Sequence, residues 1–167
     1  RIHKQVKQEP IDKDVFNLWV DEGEAPRGAS YAYMIVPGVK AGDMAGLARK
    51  PSVEIIQNDT TLQAVGVPAA GVTEAIFYEP GRVALDRKTV LTADAPCMVI
   101  ARRGAGTLTL TVAVPPEMSQ AVTLGVQGHY LGENVSYDAA SGISSWKVPS
   151  PAGMYAGSSV TVTLDAR

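Results

Sequence analysis

The sequence predicts an all-β protein, an antiparallel β-sandwich with one short helix or turn near residues 41–48. Three observations lead there. Apolar and polar residues alternate over short runs, which is the period of a strand with one buried face. Turn-forming residues separate those runs at close intervals. From 104 onward Thr, Ser, Val and Gly dominate and charges are few, a composition of strands with uncharged polar faces. Many short strands with a single helical candidate fit two packed antiparallel sheets.

The elements follow in chain order. Val15 to Val20 is the first strand candidate, with Trp19 inside it as a core residue. Tyr31-Ala32-Tyr33-Met34-Ile35-Val36 is apolar at both parities, so it reads as a strand covered on both sides. Ala41 to Ala48 is the helical candidate, one or two turns that stop short of Pro51. Val53 to Gln57 and Leu62 to Val65 are strands separated by Asn58-Asp59. Val72 to Tyr78 and Arg82 to Leu85 follow, joined through Glu79-Pro80-Gly81, which suits a tight turn. Met98 to Arg102 leads through Gly104-Ala105-Gly106 into the clearest alternation in the chain, Thr107 to Val114. There Leu108, Leu110, Val112 and Val114 face a core, and the threonines face water or a neighbour. Ala121 to Val126 and Ile143 to Val148 come next, and Ser159 to Leu164 repeats the threonine device. The chain shows no internal repeat and no low-complexity tract.

Composition bounds the function. The chain has 167 residues, 46% hydrophobic and 19% charged, with a net charge of -2. That length suits one domain, or one domain plus a piece of another, and buries roughly 70% of the unfolded surface. No basic excess exists to neutralise phosphates, so nucleic acid is not an expected partner. No apolar run approaches the ~20 residues of a membrane-spanning helix, so no membrane partner is expected either. The start, Arg1-Ile2-His3-Lys4, has neither an initiator Met nor a hydrophobic leader, and the chain reads as a piece of something longer.

Chemistry-bearing residues are sparse. Cys97 is the lone cysteine, in an apolar run, and reads as a buried inert thiol. His3 and His129 have no partners at metal-ligand spacing and read as surface or loop residues. Asp12-Lys13-Asp14 lacks the glycine and distal glutamate of a calcium loop and reads as a solvated charge cluster. Asn58-Asp59-Thr60 and Asn134-Val135-Ser136 match the glycosylation acceptor pattern, which is short enough to arise by chance. There is neither a phosphate-cradling loop nor a nucleophile elbow. No cofactor, metal or catalytic residue is therefore expected in this chain. Tyr130, Tyr137 and Trp146 are the candidate ligand-binding residues, because flat rings stack on the apolar faces of pyranoses. Arg82, Arg87, Lys88, Arg102 and Arg103 could form a local basic patch, with a solvated charged surface as the plainer account.

Two stretches carry a family resemblance. The first is Val15-Phe16-Asn17-Leu18-Trp19-Val20-Asp21-Glu22-Gly23, then Pro26, then Ala29-Ser30-Tyr31-Ala32-Tyr33-Met34-Ile35-Val36-Pro37-Gly38. It resembles the closing strands of the central β domain of polysaccharide lyase family 8, the hyaluronate, chondroitin AC and xanthan lyases. That family's pattern is Asp-His-Gly, a spacer with Pro, then a Tyr-x-Tyr strand ending in Pro; Glu22 departs from it by standing where the histidine is usual. The second is Pro51-Ser52-Val53-Glu54-Ile55-Ile56-Gln57-Asn58-Asp59-Thr60 with Gln63-Ala64-Val65, followed by Gly71 to Phe77 and Ala95-Pro96-Cys97-Met98-Val99. It is similar to the family's small C-terminal β-sandwich. The two run in order from about 15 to 115.

The resemblance implies three segments: 1–37 as the last strands of a larger central β domain, 38–50 as a linker, and 51–167 as the C-terminal β-sandwich. It implies that 1–37 has lost partners, so that it folds back on the sandwich, self-associates with another copy, or is mobile. Enzymes of this family cleave uronic-acid glycans by β-elimination, in which a base removes the proton beside a carboxylate whose charge neighbouring groups mask. Their Asn, His, Tyr and Arg groups lie in an N-terminal helical toroid that has no counterpart in these residues. The implied role is that of a non-catalytic piece of a parent polysaccharide lyase, extracellular or periplasmic. Its partners would be the toroid and central domain of that parent, with the polysaccharide as an accessory contact. An independent carbohydrate-binding module and an immunoglobulin-like structural spacer remain as alternatives.

Overall fold

The computed structural model describes residues 12–15, 17–115 and 121–167. The chain divides into two units, Arg1–Ile35 and Val36–Arg167.

In the first unit the described residues form neither helix nor strand. The Asp21 carboxylate accepts the Gly23 N–H at 2.9 Å, a local turn. Tyr31 and Tyr33 stack with ring centroids 6.4 Å apart, as residues two apart do on an extended backbone. Two expectations are corrected here. The described part of Val15 to Val20 is not a strand, and Trp19 is exposed rather than core. Tyr31 to Val36 is extended but joins no sheet, and Tyr31, Tyr33 and Ile35 are exposed. The physical reason is common to both. Alternation and apolarity make a segment competent to pair, but a strand exists only when a second backbone supplies the ladder.

The second unit opens with a 3-10 turn, Ala41–Asp43, running into helix α1, Met44–Arg49. The helix ends before Pro51, as the proline requires. Among the described residues twelve strands follow: β1 Glu54–Asn58, β2 Leu62–Val67, β3 Val72–Phe77, β4 Gly81–Ala84, β5 Val90–Ala93, β6 Cys97–Arg103, β7 Thr107–Ala113, β8 Thr123–Gln127, β9 Tyr130–Leu131, β10 Val135–Asp138, β11 Ile143–Lys147 and β12 Val160–Ala166. They form a seven-stranded sheet, β1-β2-β3-β6-β7-β12-β9, and a five-stranded sheet, β10-β11-β8-β5-β4. All pairings are antiparallel, and the register slips between Ile55 and Gln57 on β1.

Turn chemistry fixes the hairpins. Asp59 closes β1 onto β2: its carboxylate accepts the N–H groups of Thr61 and Leu62 at 2.8 and 2.9 Å and the Thr61 hydroxyl at 2.7 Å. Those donors, the Thr61 hydroxyl foremost, hold its carboxyl well below the usual range. Gly106 has φ +73°, which lets the β6–β7 connection reverse tightly.

The core lies between the sheets. Leu62, Phe77, Val99, Leu108, Leu110 and Leu164 from one sheet meet Leu91, Leu124, Val126 and Trp146 from the other, all buried. The alternation of β7 is realised in full. Leu108, Leu110 and Val112 point inward. Thr109 and Thr111 point outward and bond Thr163 and Thr161 of β12 through their hydroxyls at 3.3 and 3.0 Å.

Candidate functional site

The three candidate aromatics fall on or beside the same hairpin of the five-stranded sheet, but the structure treats them differently. Trp146 stands on β11 opposite Leu124 of β8 and Val135 of β10. Those neighbours point into the sandwich, so the indole does too, and it is only 3% exposed. This corrects the expectation of a surface ring: Trp146 is a core residue and offers no face to a sugar. The register carried the signal, since Trp146 shares parity with Val148, which is also buried.

Tyr130 begins β9, after a bend at Gly128. Gly128 has φ +120°, and the Tyr130 ring lies 2.9 Å from where a Cβ would stand, so glycine is required twice over. The ring is half-buried against the core. Against the backbone of this bend lies Ser144 of β11, fully buried. Its Oγ accepts the Tyr130 N–H at 2.8 Å and donates to the Gly128 carbonyl at 2.8 Å. A single hydroxyl thus satisfies two backbone groups that the bend takes out of the ladder.

Tyr137 lies opposite Ser144, on the outermost strand β10. Its position at the edge leaves it 39% exposed. The His129 imidazole stacks on its ring, with centroids 4.0 Å apart and planes 9° from parallel. His129 in turn accepts the Arg167 N–H on its carbonyl at 2.9 Å. His129 reads from sequence as a loop residue, and nothing in the local pattern reveals that the fold sets its ring on that of an edge-strand tyrosine. Stacking covers one face of each ring, so a pyranose would have to use the opposite face or the rims.

The five basic residues come from both sheets, and three of them, Arg87, Lys88 and Arg103, meet at the β4–β5 turn. Arg82 lies on β4 of the five-stranded sheet, and Arg102 lies on β6 of the other. Arg103 forms an ion pair with Asp86 that ties the end of β6 to the β4–β5 turn. Partial burial works to raise the Asp86 carboxyl. The N–H groups of Lys88 and Thr89 and the Arg103 guanidinium outweigh it, and the net direction is down. Arg87 and Lys88 share that turn, so the basic residues of this end are partly neutralised.

Cys97 is buried, and desolvation, helped by the Asp94 charge, pushes its thiol up to about 12. Among the described residues no three His, Cys, Asp or Glu side chains are grouped to hold a metal, and Asp12 and Asp14 are exposed. His3 lies outside the described residues. No described helix is long and apolar enough to cross a membrane.

Comparison with known proteins supplies what the geometry leaves open. Residues 1–48 match the super-sandwich domain of polysaccharide lyase family 8, and residues 54–123 match that family's C-terminal β-sandwich domain. A chondroitinase AC of Pedobacter heparinus is 26% identical over 75% of this chain and 18% of its own length. A hyaluronate lyase of Thermasporomyces composti is 32% identical over 59% of this chain and 12% of its own. Among solved structures, a chondroitin AC lyase of Streptomyces coelicolor superposes with a TM-score of 0.67 at 27% identity, over 87% of this chain and 19% of that one. The chain therefore spans less than a fifth of the length of the relatives it matches.

Proposed function

The chain belongs to polysaccharide lyase family 8, and from that premise we propose that it is the non-catalytic C-terminal portion of a longer lyase. The parent would cleave a uronic-acid glycan, chondroitin, hyaluronan or xanthan, by β-elimination outside the cytoplasm, in the extracellular space or periplasm. One observation carries this reading: two domain models of a single family match in order, on either side of one junction, in one polypeptide. The work of the sandwich is to brace the central domain. A β-elimination needs a base near the proton beside a carboxylate and groups that mask that carboxylate's charge. The described residues bring no such set together, so the chemistry is assigned to the rest of the parent.

An accessory glycan contact is assigned to the β9–β10 edge, through the exposed side of Tyr137 and the rim of Tyr130. It is supported by the part exposure of Tyr137 on an outermost strand. Separated from the parent, the exposed apolar side chains of 15–35 favour association with a second copy, which sedimentation at rising concentration checks.

The test uses the 167-residue chain and the longer polypeptide of the same gene on hyaluronan, chondroitin and xanthan. Absorbance of unsaturated uronate should rise with at least one glycan for the longer polypeptide and with none for the chain. Turnover by the chain alone, or none by either, overturns the reading. Titration of the same glycans against the chain and its Tyr137→Ala variant reads the accessory contact; equal binding, or none, removes it.

A further inference from the structure

Strand β8 is the middle strand of the five-stranded sheet, and Gly125 stands at its centre. Leu124 and Val126 on either side of it are core residues, so position 125 faces outward. Its backbone is ordinary extended chain, and no dihedral there calls for glycine. A glycine inside a strand weakens it and marks a place where something comes close. A Cβ here would stand 2.5 Å from Thr92 Oγ1 and 3.2 Å from Ile143 Cγ2. The Thr92 hydroxyl is fixed in place by donating to the Gly125 carbonyl at 3.2 Å. The missing side chain thus keeps open a groove of about 200 Å³, lined by Val90, Thr92, Gly125, Gln127, Ser141 and Ile143.

The lining has a chemistry of its own. Val90 and Ile143 bring aliphatic surface from the strands on either side of β8. The Ser141 hydroxyl donates to the Asp138 carboxylate at 2.7 Å and that of Thr92 to a carbonyl, so both oxygens are left to accept. Gln127 is exposed and adds an amide that donates and accepts. Aliphatic walls with a few convergent polar groups suit a hydroxylated ring, and the volume, below the ~300 Å³ of a drug-sized pocket, suits one ring. Charge distinguishes the two ends. Arg82 is exposed, opposite Thr92 on β4 and on the same face. Strand β4 lies one ladder spacing, about 4.8 Å, beyond β5, within reach of an arginine side chain. At the other end Asp138, opposite Ile143, is already engaged by Ser141 and the Ala140 N–H.

We propose that this groove is a binding subsite for one acidic sugar residue of a glycan chain, with the carboxylate toward Arg82 and the ring hydroxyls on Thr92, Gln127 and Ser141. It is separate from the β9–β10 edge: Tyr137 stands opposite the buried Ser144, whereas the groove lies on the outer face of the sheet. Naming the acid as a uronate rests on the lyase reading above; the groove itself asks for a hydroxylated ring with a carboxylate.

Amide shifts of the 15N-labelled 167-residue chain, titrated with methyl β-glucuronide and with methyl β-glucoside, test this. The glucuronide should give saturable shifts at Thr92, Gly125 and Gln127, and the glucoside should bind roughly fivefold more weakly, the worth of an exposed ion pair. Arg82→Gln, at an exposed position, should erase that difference. Gly125→Ala, with its fold read from the same spectrum, should abolish the shifts with both sugars. The proposal is overturned by no saturable shift at these amides, by equal binding of the two sugars to the unaltered chain, or by a preference that survives Arg82→Gln. Shifts confined to residues 129–138 place the ring at the Tyr137 edge and overturn it as well. Glycan turnover by the longer polypeptide is read separately: these shifts without turnover sink the lyase reading alone, and turnover without these shifts sinks the groove alone.

Discussion

Tyr31 to Ile35 and β7 are both extended and both rich in large apolar residues, yet they live in opposite surroundings. On β7 the Leu110 side chain is 0% exposed, held between β6 and β12. Ile35 is 80% exposed and joins no ladder. Side-chain chemistry does not separate them. What separates them is that β7 has a backbone partner on each side and a second sheet beneath it. A strand is a property of a pair, and burial follows from the pairing rather than preceding it.

The comparison can be broken by substitution. Leu110→Ala removes buried methyl groups from the middle of a closed core and should cost about 3 kcal/mol, read from urea unfolding. Ile35→Ala should stay within about 0.5 kcal/mol. Equal costs would mean that Ile35 is packed in solution and would dissolve the contrast. A smaller effect tests the polar side of the core. Ser144→Ala strands the Tyr130 N–H and the Gly128 carbonyl and should cost about 1–2 kcal/mol. Thr111→Ala, whose outward hydroxyl meets water as readily as Thr161, should be near neutral. The smallest effect lies at the Asp86–Arg103 tie. A carboxyl with a lowered pKa adds stability at neutral pH and loses it as pH falls from the ordinary value, about 4, through its own lower one. Asp86→Asn should therefore remove about 0.5–1 kcal/mol at pH 7 and nothing once pH lies below both values. A loss that persists in strong acid would assign Asp86 a packing role instead.

Legibility in the sequence followed the same logic. Thr107 to Ala113 was readable because seven residues of strict alternation leave one face to bury. Strand β9 has two residues, too few for a period to declare itself, and β5 and β10, with four each, were not picked out although β4, equally short, was. They exist because neighbouring strands supply their partners, which local pattern does not encode. Trp146 was placed on the right strand, but its face depended on a register set by Leu124 and Val135, distant in sequence. The His129–Tyr137 stack joins a bend to an edge strand and leaves no local trace. The apolar runs near 15–20 and 31–36 were legible as pairing-competent segments, and that their described residues form no strand lies outside what any single segment can state.

The slip in register between Ile55 and Gln57 has a consequence for solubility. A sheet grows by adding strands at its open borders, and fibres form when a border presents a long, regular row of amides and carbonyls. On one border of the larger sheet the slip breaks that row and twists it. On the other, β9 presents only two residues. An incoming chain finds no uninterrupted template at either, so the larger sheet can stand alone without seeding polymers of itself.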